Sequence, residues 1–220
     1  MTTTGGEPDP AVVAPRLGRR TEEAFAYALA VHGAQVRKRL PIPYVSHLLA
    51  VASIVLEDGG DETQVIAALL HDAAEDQGGE ARLADIRARF GDPVAEIVAA
   101  LSDSLVADAE EKAPWRVRKE AYLARLRDER DAGALRVALA DKLHNARCIV
   151  TDVSADRAAW GRFNAEPAEI ARYHRACLEI LGARMPESRY IAELEVTMAR
   201  LAALADEEMT RRSARRPRRP

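Results

Sequence analysis

Residues 65–76 read VIAALLHDAAED, in which an apolar helical stretch runs directly into four ionisable side chains. The segment from Val65 to Leu70 has no polar face, so we expect its helix to be buried on most sides. The ionisable residues that follow are His71, Asp72, Glu75 and Asp76. If the helix is continuous, the pair His71 and Asp72 lies one turn before the pair Glu75 and Asp76, on the same faces of the helix. Three carboxylates this close together repel one another unless positive charge lies nearby. A lone histidine on an apolar helix is usually a core residue, but this cluster indicates a functional site.

Two other segments carry side chains of the same kinds. His47 begins a helix upstream, and the sequence LADKLHN at residues 139–145 places Asp141 inside an otherwise apolar helix. Together with His71 and Asp72, these two residues provide two imidazoles and two carboxylates from three predicted helices. Mixed nitrogen and oxygen ligands suit a divalent metal of the Mn, Fe or Zn type and disfavour Ca and Mg. The sequence therefore predicts a transition-metal site between helices.

The rest of the chain predicts an all-α fold. Caps, breakers and apolar periodicity predict helices near 21–33, 46–57, 61–77, 80–90, 92–101, 114–129, 132–152, 167–182 and 187–209, with a polar loop at 102–112. The sequence contains no convincing alternating strand and no internal repeat. We expect a disordered N-terminus at residues 1–18, one domain at 19–209 and a disordered Arg/Pro-rich tail at 210–220.

Composition is typical of a soluble globular protein. The 220 residues are 48% hydrophobic and 30% charged, which suits one domain with a sizeable core or at most two small ones. The longest nearly apolar run, Leu48 to Leu56, is less than half of the roughly 20 residues that cross a bilayer. The first twenty residues lack the pattern of a secretory signal, and two cysteines without a metal-type pair suit a reducing compartment. We therefore expect a cytoplasmic protein.

Charge is distributed unevenly along the chain. The formal net charge is −3, and the last ten residues include six arginines, so residues 1–210 are more acidic than the whole. The basic tail could contact RNA, acidic lipid or the acidic body, or it could be a solvated end. For the body we expect a small-molecule partner and no binding to DNA or a membrane, and the oligomeric state stays open.

The motifs together resemble a known family. His47, the pair His71-Asp72 and Asp141 match the H…HD…D signature of the HD-domain metal phosphohydrolases. Five phrases narrow the resemblance: RK at 37–38, PYVSHL at 43–48, AALLHD at 67–72, ED at 75–76 and ADKLHN at 140–145. They are similar to the hydrolase domain of the bifunctional alarmone synthetase/hydrolases and of their small stand-alone relatives. The resemblance covers roughly residues 20–185 and implies an HD-domain helical bundle with a metal site between helices.

The resemblance also implies a metal and a reaction. The expected ligands of one Mn²⁺ are His47, His71, Asp72 and Asp141. The expected catalytic acids beside the attacking water are Glu75 and Asp76, since a positioned carboxylate can handle the proton of a water that the metal acidifies. The implied reaction removes the 3′-pyrophosphate of guanosine tetra- or pentaphosphate (ppGpp or pppGpp) and yields GDP or GTP. The chain is too short for the synthetase half of the long relatives, so we expect no synthesis.

Four further residues are expected to bind the substrate. Arg37 matches the family arginine on the guanine side, Lys38 is its basic neighbour, and Asn145 matches a residue of the ribose pocket. Lys142 adds to the positive local field, so an acidic protein can still hold a polyphosphate. Residues 115–119, WRVRK, form either a basic flap over the phosphates or an exposed amphipathic helix. His32 and His144 lie near the motifs, and we interpret both as structural residues around the site.

The sequence departs from the family pattern at the nucleotide pocket. The segment from Arg37 to Tyr44 is one residue longer than in the long relatives. Gln77 replaces the usual threonine after the acidic pair, and Cys148 stands where threonine is common. Base preference and the number of 5′-phosphates therefore stay open. One alternative is a related HD enzyme acting on adenine analogues, NADPH or a nucleotide monophosphate, and another is a non-catalytic nucleotide-sensing protein.

Overall fold

The protein is all-α throughout the part of the chain that the structure describes. The computed structural model describes residues 15–38, 40–108 and 110–215. Its helices are α1 (Arg19–His32), α2 (Val45–Glu57), α3 (Glu62–Leu70), α4 (Ala73–Asp76), α5 (Gly79–Phe90), α6 (Asp92–Leu101), α7 (Trp115–Asp128), α8 (Ala132–Ala155), α9 (Pro167–Arg184) and α10 (Ile191–Arg215), with a 3₁₀ helix at Arg157–Arg162. Within the described ranges the one extended pairing is an isolated antiparallel bridge between Val36 and Pro43. The predicted all-α class is confirmed. Among the described helices, none combines the length and apolar character that crossing a bilayer requires.

Helix α8 runs through the middle of the bundle and carries charged groups into it. It packs against α2, α3, α6, α9 and α10, and most residues from Gly133 to Leu143 are buried. A helix enclosed on most sides is expected to be apolar, and charged residues inside it need partners. Asp141 and Lys142 are charged and still only 5% and 8% exposed. Their position marks where the apolar core meets the polar cleft described below.

The predicted helix over residues 61–77 is interrupted at its functional end, which corrects the sequence analysis. Helix α3 ends at Leu70, and His71 and Asp72 form a turn before the four-residue α4. The ψ angle of Asp72 is −7°, away from the roughly −42° of a regular helix, and this departure marks the interruption. The side chain of His71 donates from Nδ1 to the carbonyl oxygen of Ala68 at 2.7 Å. The Asp76 N–H still donates to the Asp72 carbonyl at 2.9 Å, so the interruption is confined to the step between His71 and Asp72.

The segment between α1 and α2 forms a closed loop beside the site. Two backbone hydrogen bonds close it: the N–H of Arg37 donates to the Ile42 carbonyl (3.0 Å), and the N–H of Tyr44 donates to the Gln35 carbonyl (2.9 Å). Two prolines restrict the backbone, in agreement with the predicted irregular segment. Lys38 adopts a φ of +41°, which non-glycine residues take up mainly in turns. The loop thereby brings Arg37 and Lys38 to the rim of the cleft.

The two chain ends were predicted to be disordered. Residues 1–14 and 216–220 lie outside the described residues, residues 15–18 have no regular secondary structure, and α1 begins at residue 19. The tail boundary at residue 210 is corrected, because residues 210–215 continue α10. Arg211 and Arg212 each pair with Glu208 at 2.8 Å, and Arg212 also pairs with Glu166 at 2.7 Å. Ion pairs one turn apart support a helical end that composition alone did not predict.

Candidate active site

Four side chains from three parts of the fold converge at the end of α3. They are His47 on α2, His71 and Asp72 in the turn after α3, and Asp141 on α8. His47, His71 and Asp141 each offer one ligand atom, and these three atoms lie within 4.8 Å of one another. Oδ2 of Asp72 lies 3.1 Å from Nε2 of His71 and 3.5 Å from Nε2 of His47. The fold thus brings together all four side chains that the sequence analysis selected as metal ligands.

Hydrogen bonds on the outer nitrogens direct both imidazoles toward this centre. Nδ1 of His71 donates to the Ala68 carbonyl, and Nε2 of His71 is buried with no hydrogen-bond partner among the described residues. Nδ1 of His47 lies 2.8 Å from Nδ1 of His144. Burial, then the charges of His47 and Arg37, lowers the pKa of His144 to about 3, so this ring is neutral and can accept. An unpaired imidazole nitrogen that faces carboxylates, with the other nitrogen held, fits a divalent metal.

The charges of this centre depend on one another. Burial opposes the ionised form of Asp72, but His71 and His47 hold the pKa of that carboxyl well below its usual range. Burial likewise opposes ionisation of Asp141, and Lys142 is the first of the groups that keep its pKa well below the usual range. Burial would lower the pKa of His71, but the two carboxylates raise it well above its ordinary value. The centre therefore requires positive charge, which a divalent ion can supply in place of protons.

The acidic pair on α4 is divided between two sides of the cleft. Oε2 of Glu75 accepts from the backbone N–H of Asp103 (2.9 Å), whereas Oδ2 of Asp76 accepts from the side-chain amide of Gln35 (2.8 Å). Burial, then the charges of Asp103 and Asp72, raises the pKa of Glu75 to about 7. Desolvation and the charge of Asp72 also raise the pKa of Asp76. A carboxyl group with a pKa near neutrality can both take up and release a proton at physiological pH.

Asp103, which the sequence analysis left in a loop, connects Glu75 to α7. Its carboxylate is almost fully buried and pairs with Arg118 and with Lys119, the latter at 2.6 Å. Arg118 also approaches Oε1 of Glu75 at 3.8 Å. Of the two interpretations of residues 115–119, these contacts favour the one in which the basic segment borders the cleft.

All four predicted substrate-binding residues border the cleft, but two of them are tied to Asp141. The Asn145 amide donates to Asp141 and accepts from Nη2 of Arg37 at 3.1 Å. Nζ of Lys142 lies 2.6 Å from Oδ2 of Asp141, and this pairing raises the pKa of Lys142 although burial acts to lower it.

Nη1 of Arg37 is buried with no partner among the described residues. Desolvation and neighbouring cations lower the pKa of Lys38. Arg37 and Lys38 thus have donors to offer a ligand, whereas Lys142 and Asn145 act first on Asp141.

Two adjoining cavities meet at these residues. The first, which we call the acidic cleft, has a volume of about 320 Å³ and contains the carboxylates of residues 72, 75, 76 and 141. The second, which we call the aromatic cavity, has a volume of about 170 Å³, and its apolar walls include Trp115, Phe163, Ile170 and Tyr173. The residues that border both are Arg37, Lys38, Lys119, Lys142 and Asn145. One ligand can therefore reach the metal-binding residues and an aromatic surface at once.

Some residues contribute to the site without having been assigned a role there by sequence. The hydroxyl of Tyr44 donates to Oδ2 of Asp72, and its ring stacks on His32 at a centroid distance of 5.2 Å. Gln35 holds Asp76 and also contacts Nδ1 of His32 at 2.7 Å. Tyr44 belongs to the motif phrase PYVSHL and could have been selected from it, but no motif or pattern in the sequence pointed to Gln35. The interpretation of His32 as a structural residue beside the site agrees with these contacts.

Comparison with known proteins agrees with the geometry. Residues 24–163 match the HD domain family, and the chain belongs to that family. It is 36% identical over 141 residues to a GTP pyrophosphokinase of Streptomyces antibioticus and 35% identical over 129 residues to a probable guanosine-3′,5′-bis(diphosphate) 3′-pyrophosphohydrolase of Synechocystis. It is 33% identical over 136 residues to the bifunctional (p)ppGpp synthase/hydrolase SpoT of Escherichia coli. The alignments cover 64%, 57% and 60% of this chain but 16%, 16% and 18% of those proteins, so the chain spans less than a fifth of their length.

Solved structures share the fold. A crystal structure of lmo0812 from Listeria monocytogenes has a TM-score of 0.60 and 28% identity, covering 73% of this chain and 98% of that one. A metazoan ortholog of SpoT, described as hydrolysing ppGpp, has a TM-score of 0.60 and 23% identity, covering 90% of this chain and 98% of that one. The HD-domain bundle that the sequence analysis expected is therefore confirmed, as is the similarity to the hydrolase domains of alarmone synthetase/hydrolases.

Proposed function

We propose that the protein hydrolyses the 3′-pyrophosphate of ppGpp or pppGpp, giving GDP or GTP and pyrophosphate, with Mn²⁺ as its metal. The observation that carries this proposal is the junction between the acidic cleft and the aromatic cavity, lined by shared basic residues. A polyphosphate nucleotide has a charged phosphate end that suits the acidic cleft with its metal and a flat base that suits the aromatic cavity. The names of the similar proteins from Synechocystis and Escherichia coli support the same substrate.

His47, His71, Asp72 and Asp141 are the residues that would hold the metal. A divalent ion there would lower the pKa of a water molecule and offset the negative charge of a phosphoryl group. Tyr44 keeps the Asp72 carboxylate in place through its hydroxyl. Lys142 and Asn145 do the same for Asp141, so their main contribution is to position a ligand of the metal rather than to contact the substrate.

Glu75 is the group that would take the proton of the attacking water. Its carboxyl lies in the acidic cleft, its orientation is fixed by the Asp103 N–H, and its pKa of about 7 suits a general base at neutral pH. Asp76 accepts a hydrogen bond from Gln35 on the other side of the cleft, and it would orient the water rather than take its proton.

The basic residues at the junction would hold the substrate. Arg37, Lys38 and Lys119 border both cavities and can contact phosphate oxygens, which guanidinium and ammonium groups bind well. The nucleoside would then occupy the aromatic cavity against Trp115 and Tyr173. The proposal includes a cytoplasmic location and a small-molecule partner. The net charge of −3 disfavours non-specific binding to DNA or to an acidic membrane surface.

The product of the reaction tests the proposal. Mn²⁺-loaded protein is incubated separately with ppGpp, pppGpp, their adenine analogues, NADPH and deoxynucleotide monophosphates, and pyrophosphate and orthophosphate are measured. Pyrophosphate from ppGpp is expected, with its release lost in Asp141→Ala and kept in Glu195→Gln, a control on the exposed face of α10. Orthophosphate from a monophosphate or NADPH would favour the related-enzyme alternative. Binding of ppGpp without turnover would favour a sensing protein.

A further inference from the structure

His174 is a buried histidine beside the aromatic cavity to which the proposed reaction gives no role. It lies on α9, is 5% exposed and borders the cavity. Its ring packs edge-on against Tyr173 with centroids 5.4 Å apart. A polar ring in this position is unexpected, because an apolar residue would fill the same space without a desolvation cost.

His174 differs from other buried histidines in its hydrogen bonding. The three other histidines below a tenth exposed each have a ring nitrogen in a hydrogen bond: His32, His47 and His71. Among the described residues no hydrogen bond reaches the ring of His174, and its Nδ1 is buried without a partner. Buried polar groups are normally paired, so an unpaired one at a cavity wall points to a ligand that completes it.

The charge state of His174 determines what that ligand can be. Burial, then the positive charge of Lys142, lowers the pKa of His174 to about 3. The imidazole is therefore neutral near pH 7 and offers one donor and one acceptor nitrogen. Phosphate oxygens are better bound by the cations at the junction, Arg37 and Lys38, than by a neutral ring. A neutral donor and acceptor suit the edge of a nucleobase, which presents carbonyl, ring nitrogen and amine groups.

We propose that His174 is a base-binding residue that hydrogen-bonds the edge of the substrate's purine base in the aromatic cavity. This inference rests on the proposed nucleotide substrate. Trp115, Phe163 and Tyr173 give the cavity the aromatic surface on which a base can stack. The last torsion of a histidine side chain is broad and roughly two-fold, so either ring edge can turn to the base. Because a neutral imidazole has two tautomers, the ring can serve guanine or adenine.

Binding of GDP and of inorganic pyrophosphate to the Mn²⁺-loaded protein separates base contacts from phosphate contacts. In His174→Phe the ring shape is kept and both nitrogens are lost. Calorimetry is expected to show GDP binding weakened about tenfold or more, since a lost hydrogen bond to a buried group has an effect of this size, and pyrophosphate binding changed less than about twofold. His174→Gln, which keeps a donor and an acceptor, is expected to retain most of the GDP affinity.

Cys177→Ala is the matched control, because Cys177 is buried on the same helix one turn further on. It should leave the Kd of both ligands within about twofold. Unchanged GDP affinity in His174→Phe, or equal losses for GDP and pyrophosphate, would overturn the inference. If His174→Phe does not fold, His174→Leu carries the same expectation.

Binding also distinguishes this inference from the proposed function. Loss of GDP affinity in His174→Phe together with a wild-type protein that releases no pyrophosphate from ppGpp would refute the function and support the base contact. Normal ppGpp hydrolysis together with unchanged GDP binding in His174→Phe would support the function and refute the base contact.

Discussion

Replacing Glu75 with glutamine is expected to stabilise the metal-free protein at alkaline pH and to remove most of the turnover of the Mn²⁺-loaded protein. Glu75 accepts a hydrogen bond from the Asp103 N–H, and its side chain is 21% exposed. Burial, then the charges of Asp103 and Asp72, raises its pKa from 4.5 to about 7. Glutamine keeps an acceptor oxygen for the same N–H but has no charge. The change therefore removes repulsion in the folded state and also removes the proposed base.

The size and sign of the stability effect follow from the raised pKa of Glu75. A folded-state pKa above the ordinary value means that the folded protein binds the proton more tightly than the unfolded chain does. The protonated Glu75 therefore contributes to the stability of the folded state, and this contribution is fully present below pH 4.5 and is lost as the pH rises through about 7. The difference between the pKa values of 4.5 and about 7 corresponds to at most about 3.5 kcal/mol, at about 1.4 kcal/mol for each pH unit. At pH 8 the glutamine variant should therefore be more stable than the wild type by up to that amount.

Chemical unfolding of chelator-treated protein at pH 5 and pH 8 measures this effect. The stability advantage of Glu75→Gln should be small at pH 5 and largest at pH 8. Asp103→Asn is the matched control with the opposite sign. Burial acts to raise the pKa of Asp103, but Lys119 and Arg118 outweigh it and hold the pKa below its ordinary value. Its charge therefore contributes stability at pH 8, and its removal should destabilise the protein there.

Metal content and kinetics complete the Glu75→Gln experiment. The variant should retain Mn²⁺ by elemental analysis and lose about 100-fold in kcat with ppGpp, the size expected for a missing general base. KM should change little, because the proposed substrate contacts come from Arg37 and Lys38. A variant that loses its metal, keeps near-normal kcat or is less stable than the wild type at pH 8 would show that Glu75 is structural or a further ligand.

Three other changes test the surrounding structure. Asp141→Ala should lose both metal and turnover, because it removes a ligand atom from the centre, and elemental analysis that finds full metal content would contradict this role. Tyr44→Phe should weaken metal binding by about 10- to 100-fold in a competition titration, since the hydroxyl no longer holds Asp72, and an unchanged affinity would make that contact incidental. Deletion of residues 211–220 should leave turnover within about twofold but lower the Tm, because Glu208 loses both arginine partners. A tenfold loss of turnover would instead place the tail at the active site.

The sequence by itself determined the fold class and predicted which residue types would form the candidate metal site. An apolar run that ends in HD, a histidine at the start of one helix and an aspartate inside another identify the elements that meet at the candidate metal site. This works because charged groups inside apolar helices are costly and are kept where a partner compensates them. Asp141 on the buried α8 is the clearest case, since it directly follows the apolar stretch from Val137 to Ala140.

Only the tertiary structure decided which way each side chain points and what holds it. Glu75 and Asp76 are neighbours in sequence, but Glu75 accepts a hydrogen bond from the Asp103 N–H and Asp76 accepts one from the Gln35 amide. These partners lie 28 and 41 residues away along the chain, so no local pattern encodes the pairing. The sequence likewise does not predict that a nitrogen of His174 is unpaired, because His174 is simply one polar residue on an amphipathic helix. Hydrogen-bond satisfaction depends on the distances between side chains that packing brings together, and that information exists only once the helices are assembled.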